Sequence, residues 1–150
     1  MLIRDILQMK GAAIHAIAPG DPLSEAVQQM VALDIGSLLV MEGNAILGIL
    51  TQHDILKAMA RCGCDLSTIP VKEVMTEKVY AGKPEDSVDE VRGVMTEHHF
   101  SHLPVLEGDR LLGLISFHDV AKAALKEAAF ENMLLKRYIK NWPEEEEASS

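Results

Sequence analysis

Cysteine and aromatic residues are scarce in this 150-residue chain, which has two cysteines, one tryptophan, two tyrosines and three phenylalanines. Cys62 and Cys64 are separated by a single residue, which is poor spacing for an intrachain disulfide. A small secreted fold held together by disulfides is therefore excluded, and a cytoplasmic location is expected. Because 48% of the residues are hydrophobic, the chain can still bury a core, and that core is expected to be aliphatic.

Positive charge is the second shortage. The chain has 14 Lys and Arg against 23 Asp and Glu, for a formal net charge of −9. It contains no basic stripe with interleaved aromatic residues, which nucleic-acid binding needs to neutralise phosphates, so no nucleic-acid partner is expected. The acidic run from Glu144 to Glu147 predicts that residues 143–150 form a disordered, solvated tail.

Long uninterrupted apolar runs are missing as well. Arg4 and Asp5 stand where a signal peptide would need an apolar stretch. The most apolar window, residues 37–50, is interrupted by Glu42 and Asn44 and is too short to span a bilayer. No membrane partner is expected.

What the chain does contain is an internal repeat. The segment GILTQHD at 48–54 aligns with GLISFHD at 113–119, an offset of 65 residues that holds without a gap from Pro19 onward. Upstream the offset becomes 68 residues, which pairs Ile3 with Val71. Self-similarity of this kind decides the architecture before any single helix or strand does, because each copy is one structural unit.

The first half of each copy predicts a short strand followed by a helix. The extended segments are residues 15–17 and 79–81. Asp21 and Asp86 are expected to cap the helices that follow, with Pro22 at the first helical position of the first copy. Apolar residues then recur at helical spacing on one face.

The second half of each copy predicts a β-hairpin and a second helix. Glycine-containing turns at residues 43–44 and 108–109 join two strand-like runs. The second helix is expected to begin at Thr51 or Ser116. The order of elements is β-α-β-β-α in both copies.

These elements predict an α+β fold in which the two copies pack about a pseudo-twofold axis, because neither copy alone is large enough to be stable. We expect the first repeat at residues 1–64 and the second at 65–125. A C-terminal helical extension is expected at residues 126–142, before the acidic tail.

The same short motif ends the hairpin of each copy, as Thr51-x-x-Asp54 and Ser116-x-x-Asp119. Its structural interpretation is a capping box, in which a hydroxyl and a carboxylate three residues apart each satisfy a backbone N–H of the helix start. The carboxylate is also well placed against the helix dipole.

The motif also has a functional interpretation. Unpaired N–H groups at a helix N-terminus suit a phosphate, the hydroxyl can donate to a phosphate oxygen, and an ionised aspartate can accept from two ribose hydroxyls. Gly48 and Gly113 just before it would permit close approach of a backbone. Two occurrences after predicted buried strands make coincidence a weaker explanation.

The sequence of the two copies resembles tandem CBS domains, on SLLVMEGNAILGILTQHDIL at 37–56, SHLPVLEGDRLLGLISFHDV at 101–120 and VKEVMT at 71–76. The resemblance covers about residues 1 to 125. It implies a Bateman module, which is a non-catalytic regulatory unit that binds an adenosine-containing ligand in clefts between its repeats. It further implies a homodimer and a regulated protein whose identity is unknown.

Carried over by position, the resemblance implies two nucleotide-binding clefts. The motif aspartate would hold ribose, the motif hydroxyl would contact phosphate, and backbone before the first helix and before the hairpin would read adenine. The first cleft would use Ala16, Ile17, Ser37, Leu38, Thr51 and Asp54, and the second Tyr80, Ala81, His102, Leu103, Pro104, Ser116 and Asp119.

His53 and His118 stand just before the two motif aspartates, where related proteins often have an arginine. Neutral imidazole supplies no permanent charge. AMP is therefore favoured over ADP, ATP or another adenosyl ligand.

Two alternatives remain at this stage. One is a CBS protein that binds zinc, since the chain has donors of the right kind. However, a helix that ends at His98 and His99 would place His102 on the next strand. No metal site is expected for that reason. The other is an interaction module with empty clefts. The zinc donors would be Cys62, Cys64, His98, His99 and His102.

Enzymatic activity is not expected. The sequence shows no nucleophile–base arrangement, no phosphate-loop signature and no H-E-x-x-H motif. The repeat places each motif aspartate beside a hydroxyl at a helix start, and not opposite another carboxylate.

Overall fold

The computed structural model of the chain describes residues 1–11, 13–63 and 65–139. The predicted tail at 143–150 and the end of the predicted C-terminal helix at 140–142 lie outside these residues. Along the chain the elements are α1 (Ile3–Lys10), β1 (Ala16–Ile17), α2 (Leu23–Leu33), β2 (Ser37–Glu42), β3 (Ala45–Thr51), α3 (Gln52–Cys62), α4 (Val88–His98), β4 (His102–Glu107), β5 (Arg110–Ser116) and α5 (Phe117–Ile139), with short 3-10 helices at Leu66–Thr68 and Val71–Glu73. The mixed α and β content confirms the predicted class.

The chain divides into two compact units. One comprises residues 13–81, and the other comprises the N-terminal residues up to α1 together with the chain from Gly82 onward. We call them the first-repeat unit and the second-repeat unit. The domain boundaries predicted from the sequence follow the order of the copies along the chain, whereas these units follow the contacts.

The first-repeat unit is built on a three-stranded sheet in the order β1-β2-β3. Strand β1 is parallel to β2, and β2 is antiparallel to β3. The hairpin turns at Gly43, whose φ of 63° lies in the region that glycine adopts without strain. Its buried aliphatic core includes Leu23, Met30, Leu38, Val40, Leu50 and Ile55.

The second-repeat unit contains the equivalent hairpin, β4 with β5, and turns at Gly108 with a φ of 62°. The strand predicted at residues 79–81 is wrong, because only an isolated parallel bridge between Gly82 and Val105 takes its place. Pro104 explains the difference. It occupies the position of Leu39, whose N–H bonds to the His15 carbonyl in the first copy, and proline has no N–H to donate.

The predicted helix caps are wrong by one residue. Asp86 does not cap α4: its carboxylate accepts from the Lys83 N–H instead. The N-cap is Ser87, whose Oγ accepts from the Glu90 N–H. Asp21 likewise accepts from the N–H three residues before it, so both aspartates close the turn that precedes the helix and do not cap the helix itself.

In the first copy Pro22 is the N-cap of α2 and not its first helical residue. Proline has no side-chain acceptor, so no side chain caps this helix. The Leu23 N–H at the start of the helix bonds to the Ile69 carbonyl. A backbone group from the chain that follows α3 therefore takes the place of a capping side chain.

The N-terminal segments of the two copies are exchanged. We call residues 3–10 and residues 71–76 the leading segments. The Ile3 N–H bonds to the Asp86 carbonyl, and the Val71 N–H bonds to the Asp21 carbonyl, which confirms the predicted pairing of Ile3 with Val71. Both side chains are fully buried, so each leading segment completes the unit of the other copy.

The C-terminal extension expected from Lys126 is continuous with the second helix of the second copy, since α5 is one helix of 23 residues. Its later turns leave large apolar side chains exposed. These exposed residues include Leu125, Phe130, Met133, Leu134 and Leu135.

None of the helices in the part of the chain that the structure describes has the length and apolar character needed to span a bilayer.

Candidate functional site

The motif of the first repeat forms a reciprocal capping box at the start of α3. The Thr51 Oγ1 accepts from the Asp54 N–H at 3.2 Å, and the Asp54 Oδ2 accepts from the Thr51 N–H at 3.0 Å. The two side chains thereby satisfy backbone donors that the helix leaves free. The structural interpretation of the motif is confirmed.

The motif of the second repeat repeats this geometry at the start of α5. The Ser116 Oγ accepts from the Asp119 N–H at 3.1 Å, and the Asp119 Oδ2 accepts from the Ser116 N–H at 2.9 Å. Each motif aspartate therefore has one oxygen committed to its own helix. What differs between the repeats is the group that approaches the aspartate from elsewhere.

The residues predicted for the first cleft lie together on neighbouring strands. Ser37 is the cross-strand partner of Thr51, and Ala16 on β1 is registered with Leu39 on the same β2 strand. Ser37 and Asp54 are buried polar side chains. Within this unit Ile17 and Leu38 are buried in the core, and His53 is exposed.

The residues predicted for the second cleft divide between the units. His102, Leu103 and Pro104 on β4 are registered with Ser116, Ile115 and Leu114 on β5, and His118 is exposed on the first turn of α5. Tyr80 and Ala81 belong to the first-repeat unit. They directly precede Gly82, whose N–H bonds to the Pro104 carbonyl.

Gly82 was missed as a residue of this region. Its bridge with Val105 corresponds to the pairing of Ile17 with Val40, and the offset of 65 residues could have indicated it. A Cβ at Gly82 would lie 2.6 Å from the Leu103 Cδ2. A side chain would therefore not fit here without movement of Leu103.

The second leading segment covers Asp54. The Thr76 hydroxyl lies 3.2 Å from Asp54 Oδ1 and 3.3 Å from Oδ2, and Asp54 is only 6% exposed. Thr76 also exchanges two backbone hydrogen bonds of 2.9 Å with Ile49. Asp54 is thus surrounded by hydrogen-bond donors from its own unit.

The first leading segment reaches Asp119 with a charged group instead. The Lys10 ammonium, at the end of α1, donates to Asp119 Oδ2 at 2.6 Å and to the Leu114 carbonyl at 3.0 Å. The Asp119 side chain remains 22% exposed. Sequence reasoning missed Lys10 and Thr76, because nothing local to either residue indicates the motif it contacts.

The glycines before the motifs are approached by these leading segments. A Cβ at Gly48 would lie 2.6 Å from the Thr76 carbonyl oxygen, and a Cβ at Gly113 would lie 2.8 Å from the Leu7 Cδ2. The close approach of a backbone predicted at the two glycines is present at Gly48, where the chain itself supplies it, whereas at Gly113 a side chain approaches instead.

His102 has an unsatisfied ring nitrogen. Its Nδ1 is buried and has no hydrogen-bond partner in the described part of the chain. Burial lowers the pKa of His102, the Lys10 charge lowers it further, and the Asp119 carboxylate opposes both. The lowered pKa favours the neutral imidazole, and its buried Nδ1 is left without a partner among the described residues.

The pKa of Asp119 reports on its contact with Lys10. Burial alone would raise this pKa, but the hydrogen bond from Lys10 and the bonds from Ser116 hold it below the ordinary value of 3.8. Because the folded pKa lies below the unfolded one, the contact stabilises the fold above the unfolded pKa. The stabilisation is lost as the pH falls through the folded pKa.

We expect Lys10→Met to move the pKa of Asp119 upward, because the change removes both a hydrogen bond and a positive charge. A carboxyl-carbon NMR titration of Asp119 measures this directly. Lys136→Met, on α5 but outside this contact, is the control and should leave the titration unchanged. An Asp119 pKa that does not move in Lys10→Met would show that the contact is absent in solution.

The described residues do not support the zinc-binding alternative. Among the described residues, no group of three or more His, Cys, Asp or Glu side chains is arranged to hold a metal ion. His98 ends α4, His99 is its left-handed C-cap, and His102 begins β4, as the sequence predicts. Cys64 and the side chain of Cys62 lie outside the described part of the structure.

Comparison with known proteins agrees with the repeat and its fold. The CBS domain family matches the chain twice, at residues 3–61 and at residues 71–126. The chain belongs to the CBS domain family. The paired strand and capping-box motifs described above are thus the corresponding parts of two CBS repeats.

Relatives of the chain include proteins from plants and bacteria. It is 29% identical over 146 residues to the mitochondrial CBS domain-containing protein CBSX3 of Arabidopsis thaliana, covering 91% of this chain and 71% of that protein. A crystal structure of a CBS-domain containing protein from Agrobacterium tumefaciens has a TM-score of 0.79 and 33% identity, over 83% of this chain and 99% of that one.

A third structure is that of the hexameric CBS-CP12 protein from bloom-forming cyanobacteria, with a TM-score of 0.70 and 27% identity. The similarity covers 81% of this chain and 69% of that chain.

Proposed function

We propose that this protein is a non-catalytic regulatory module that binds an adenosine-containing nucleotide at its CBS motifs and passes the signal to a separate protein. The duplicated capping box carries the proposal. It places a hydroxyl, a carboxylate and the N-terminus of a helix within one turn of each other, directly after a β-strand, in both repeats.

The chemistry of the motif suits a nucleoside monophosphate. A carboxylate accepts from vicinal ribose hydroxyls, and charge-assisted hydrogen bonds of this kind are stronger than neutral ones. The helix N-terminus and the motif hydroxyl favour a phosphate group. His53 and His118 are both exposed and carry no permanent charge, which supports AMP over ATP as the ligand.

The proposal includes a homodimer and a cytoplasmic location. The apolar side chains exposed on α5, among them Leu125 and Phe130, favour self-association, because a monomer rarely leaves large contiguous apolar patches in water. The partner that receives the signal is another protein of unknown identity. An interaction module without a ligand is the alternative that the experiment below separates.

We expect AMP and adenosine to bind the purified protein, and GMP to bind more weakly. Isothermal titration calorimetry measures all three. The double variant Asp54→Asn with Asp119→Asn should lose adenosine binding, because an amide cannot replace a carboxylate that accepts two hydroxyl protons. Circular dichroism of the variant confirms that it is folded. If no adenosine compound binds at millimolar concentration, the nucleotide-binding function is wrong and the protein is an interaction module with empty clefts.

A further inference from the structure

The two motif aspartates are not equally available to a ligand. Asp54 accepts hydrogen bonds on both carboxylate oxygens, from the Thr51 N–H and the Thr76 hydroxyl, and is 6% exposed. Among the described residues Asp119 accepts through Oδ2 alone, from the Ser116 N–H and the Lys10 ammonium, and it is half-buried. The open position is therefore at the second repeat.

The difference originates in the leading segments. At an offset of 68 residues Gln8 corresponds to Thr76 and Lys10 to Lys78. The first leading segment stays helical as far as Lys10, whereas the helical turn of the second ends at Glu73. Lys10 ends the longer helix and brings an ammonium group to Asp119, whereas Thr76 follows the shorter helix and brings a hydroxyl to Asp54.

A groove opens beside Asp119 between α1 and the first turns of α5. It has a volume of about 260 Å³ and includes the apolar side chains of Ile6 and Met9. Its charged lining consists of Lys10, Asp119, Lys122 and Lys126. We call it the α1–α5 groove.

The lining of the groove carries more positive than negative charge, although the protein as a whole is acidic. Three ammonium groups face one carboxylate there, while the whole chain has a net charge of −9. Lys122 and Lys126 are exposed and form no ion pair within the described residues. Only Lys10 is neutralised, and the group that neutralises it is Asp119.

We propose that the α1–α5 groove binds the anionic group of the ligand, and that Lys10 moves from Asp119 to that anion when the ligand enters. Lys122 and Lys126 complete the anion site, and the released Asp119 accepts the hydroxyls of the nucleoside. One ligand then binds per chain, at the second repeat. The identity of the ligand as a nucleotide rests on the proposed function, whereas the anion site rests on the groove itself.

His102 has a buried ring nitrogen near the contact between Lys10 and Asp119, but it does not line the groove. Its Nδ1 is buried without a partner among the described residues, and it interacts electrostatically with both Lys10 and Asp119. A buried ring nitrogen without a partner costs free energy unless a ligand or water satisfies it.

If Lys10 moves from Asp119 to the anion, replacing it should change the affinities for adenosine and for AMP in opposite directions. Lys10→Met removes the group that competes for Asp119, so adenosine should bind several-fold more tightly. The same change removes a charge-assisted contact to phosphate, so AMP should bind about tenfold more weakly. Lys10→Arg keeps the cation and should retain AMP binding.

The experiment is calorimetry with AMP and adenosine on the full chain. We expect one AMP per chain in the wild type, retention of binding in Asp54→Asn and its loss in Asp119→Asn. The double variant Lys122→Met with Lys126→Met should weaken AMP about tenfold and leave adenosine unchanged. Lys136→Met, elsewhere on α5, is the matched control.

Three results would overturn the inference while leaving nucleotide binding intact. These are two AMP molecules per chain, loss of binding in Asp54→Asn but not in Asp119→Asn, and equal weakening of AMP and adenosine by Lys10→Met. If the wild type binds no adenosine compound, the proposed function fails instead. An NMR titration with pyrophosphate then tests whether the groove binds an anion. Chemical-shift changes at Lys10 and Lys122 would support the anion site, and their absence would overturn it.

Discussion

Gly48→Ala should destabilise the first-repeat unit by about 2–3 kcal/mol, the upper part of the range of about 1–3 kcal/mol expected when a methyl group is forced into a well-packed interior. The new Cβ would lie 2.6 Å from the Thr76 carbonyl oxygen and 3.0 Å from the Met75 sulfur. The backbone oxygen cannot move without stretching the pair of hydrogen bonds between Thr76 and Ile49. Urea denaturation measures the loss.

Two other glycines in the same chain provide controls for this prediction. At Gly113 the obstacle is the Leu7 Cδ2 at 2.8 Å, which is the end of a flexible side chain, so Gly113→Ala should cost about 1 kcal/mol or less. At Gly93, within α4, a Cβ meets nothing within 4 Å. Gly93→Ala should therefore stabilise by about 0.5–1 kcal/mol. Equal losses at Gly48 and Gly113 would contradict the role given to the Thr76 backbone.

Ile3→Ala should destabilise the protein by about 2–5 kcal/mol, the range for truncating a buried aliphatic side chain to alanine. Ile3 is 0% exposed and belongs by sequence to the first copy, yet its N–H bonds to the Asp86 carbonyl. Hydrogen exchange should consequently rise in β4 and β5 of the second-repeat unit. Mass spectrometry of peptic fragments locates the change.

Val71→Ala is the reciprocal variant of this pair. Val71 is also 0% exposed, and its N–H bonds to the Asp21 carbonyl, so exchange should rise within residues 13–63. Met9→Ala, at a side chain 58% exposed, should change stability by less than about 0.5 kcal/mol. If Ile3→Ala raised hydrogen exchange in β2 and β3 instead, the assignment of each leading segment to the unit of the other copy would be wrong.

The parts of the fold that the sequence predicted are those encoded locally. The hairpin turns at Gly43 and Gly108 and the capping boxes at the two motifs depend on residues two or three positions apart, and the structure contains them as expected. The helix caps were missed by one residue because Asp86 and Ser87 are both good caps. A turn before the helix decided between them.

The candidate site was less predictable than the fold. The motif aspartates could be named from the sequence, but their different environments could not. Lys10 is 109 residues from Asp119 along the chain, and Thr76 is 22 residues from Asp54. Contacts over such separations depend on tertiary packing, which local propensity does not encode.

The exchanged leading segments set an order for folding as the chain is synthesised. The first copy can complete its packing once Val71 and Thr76 have left the ribosome, because all of its partners then exist. Helix α1 is made before either hairpin, but the partners that the structure describes for it, Asp86, β5 and α5, emerge later. The segment of the second-repeat unit that is made first is therefore among the last to find its native contacts, and its apolar face stays uncovered until then.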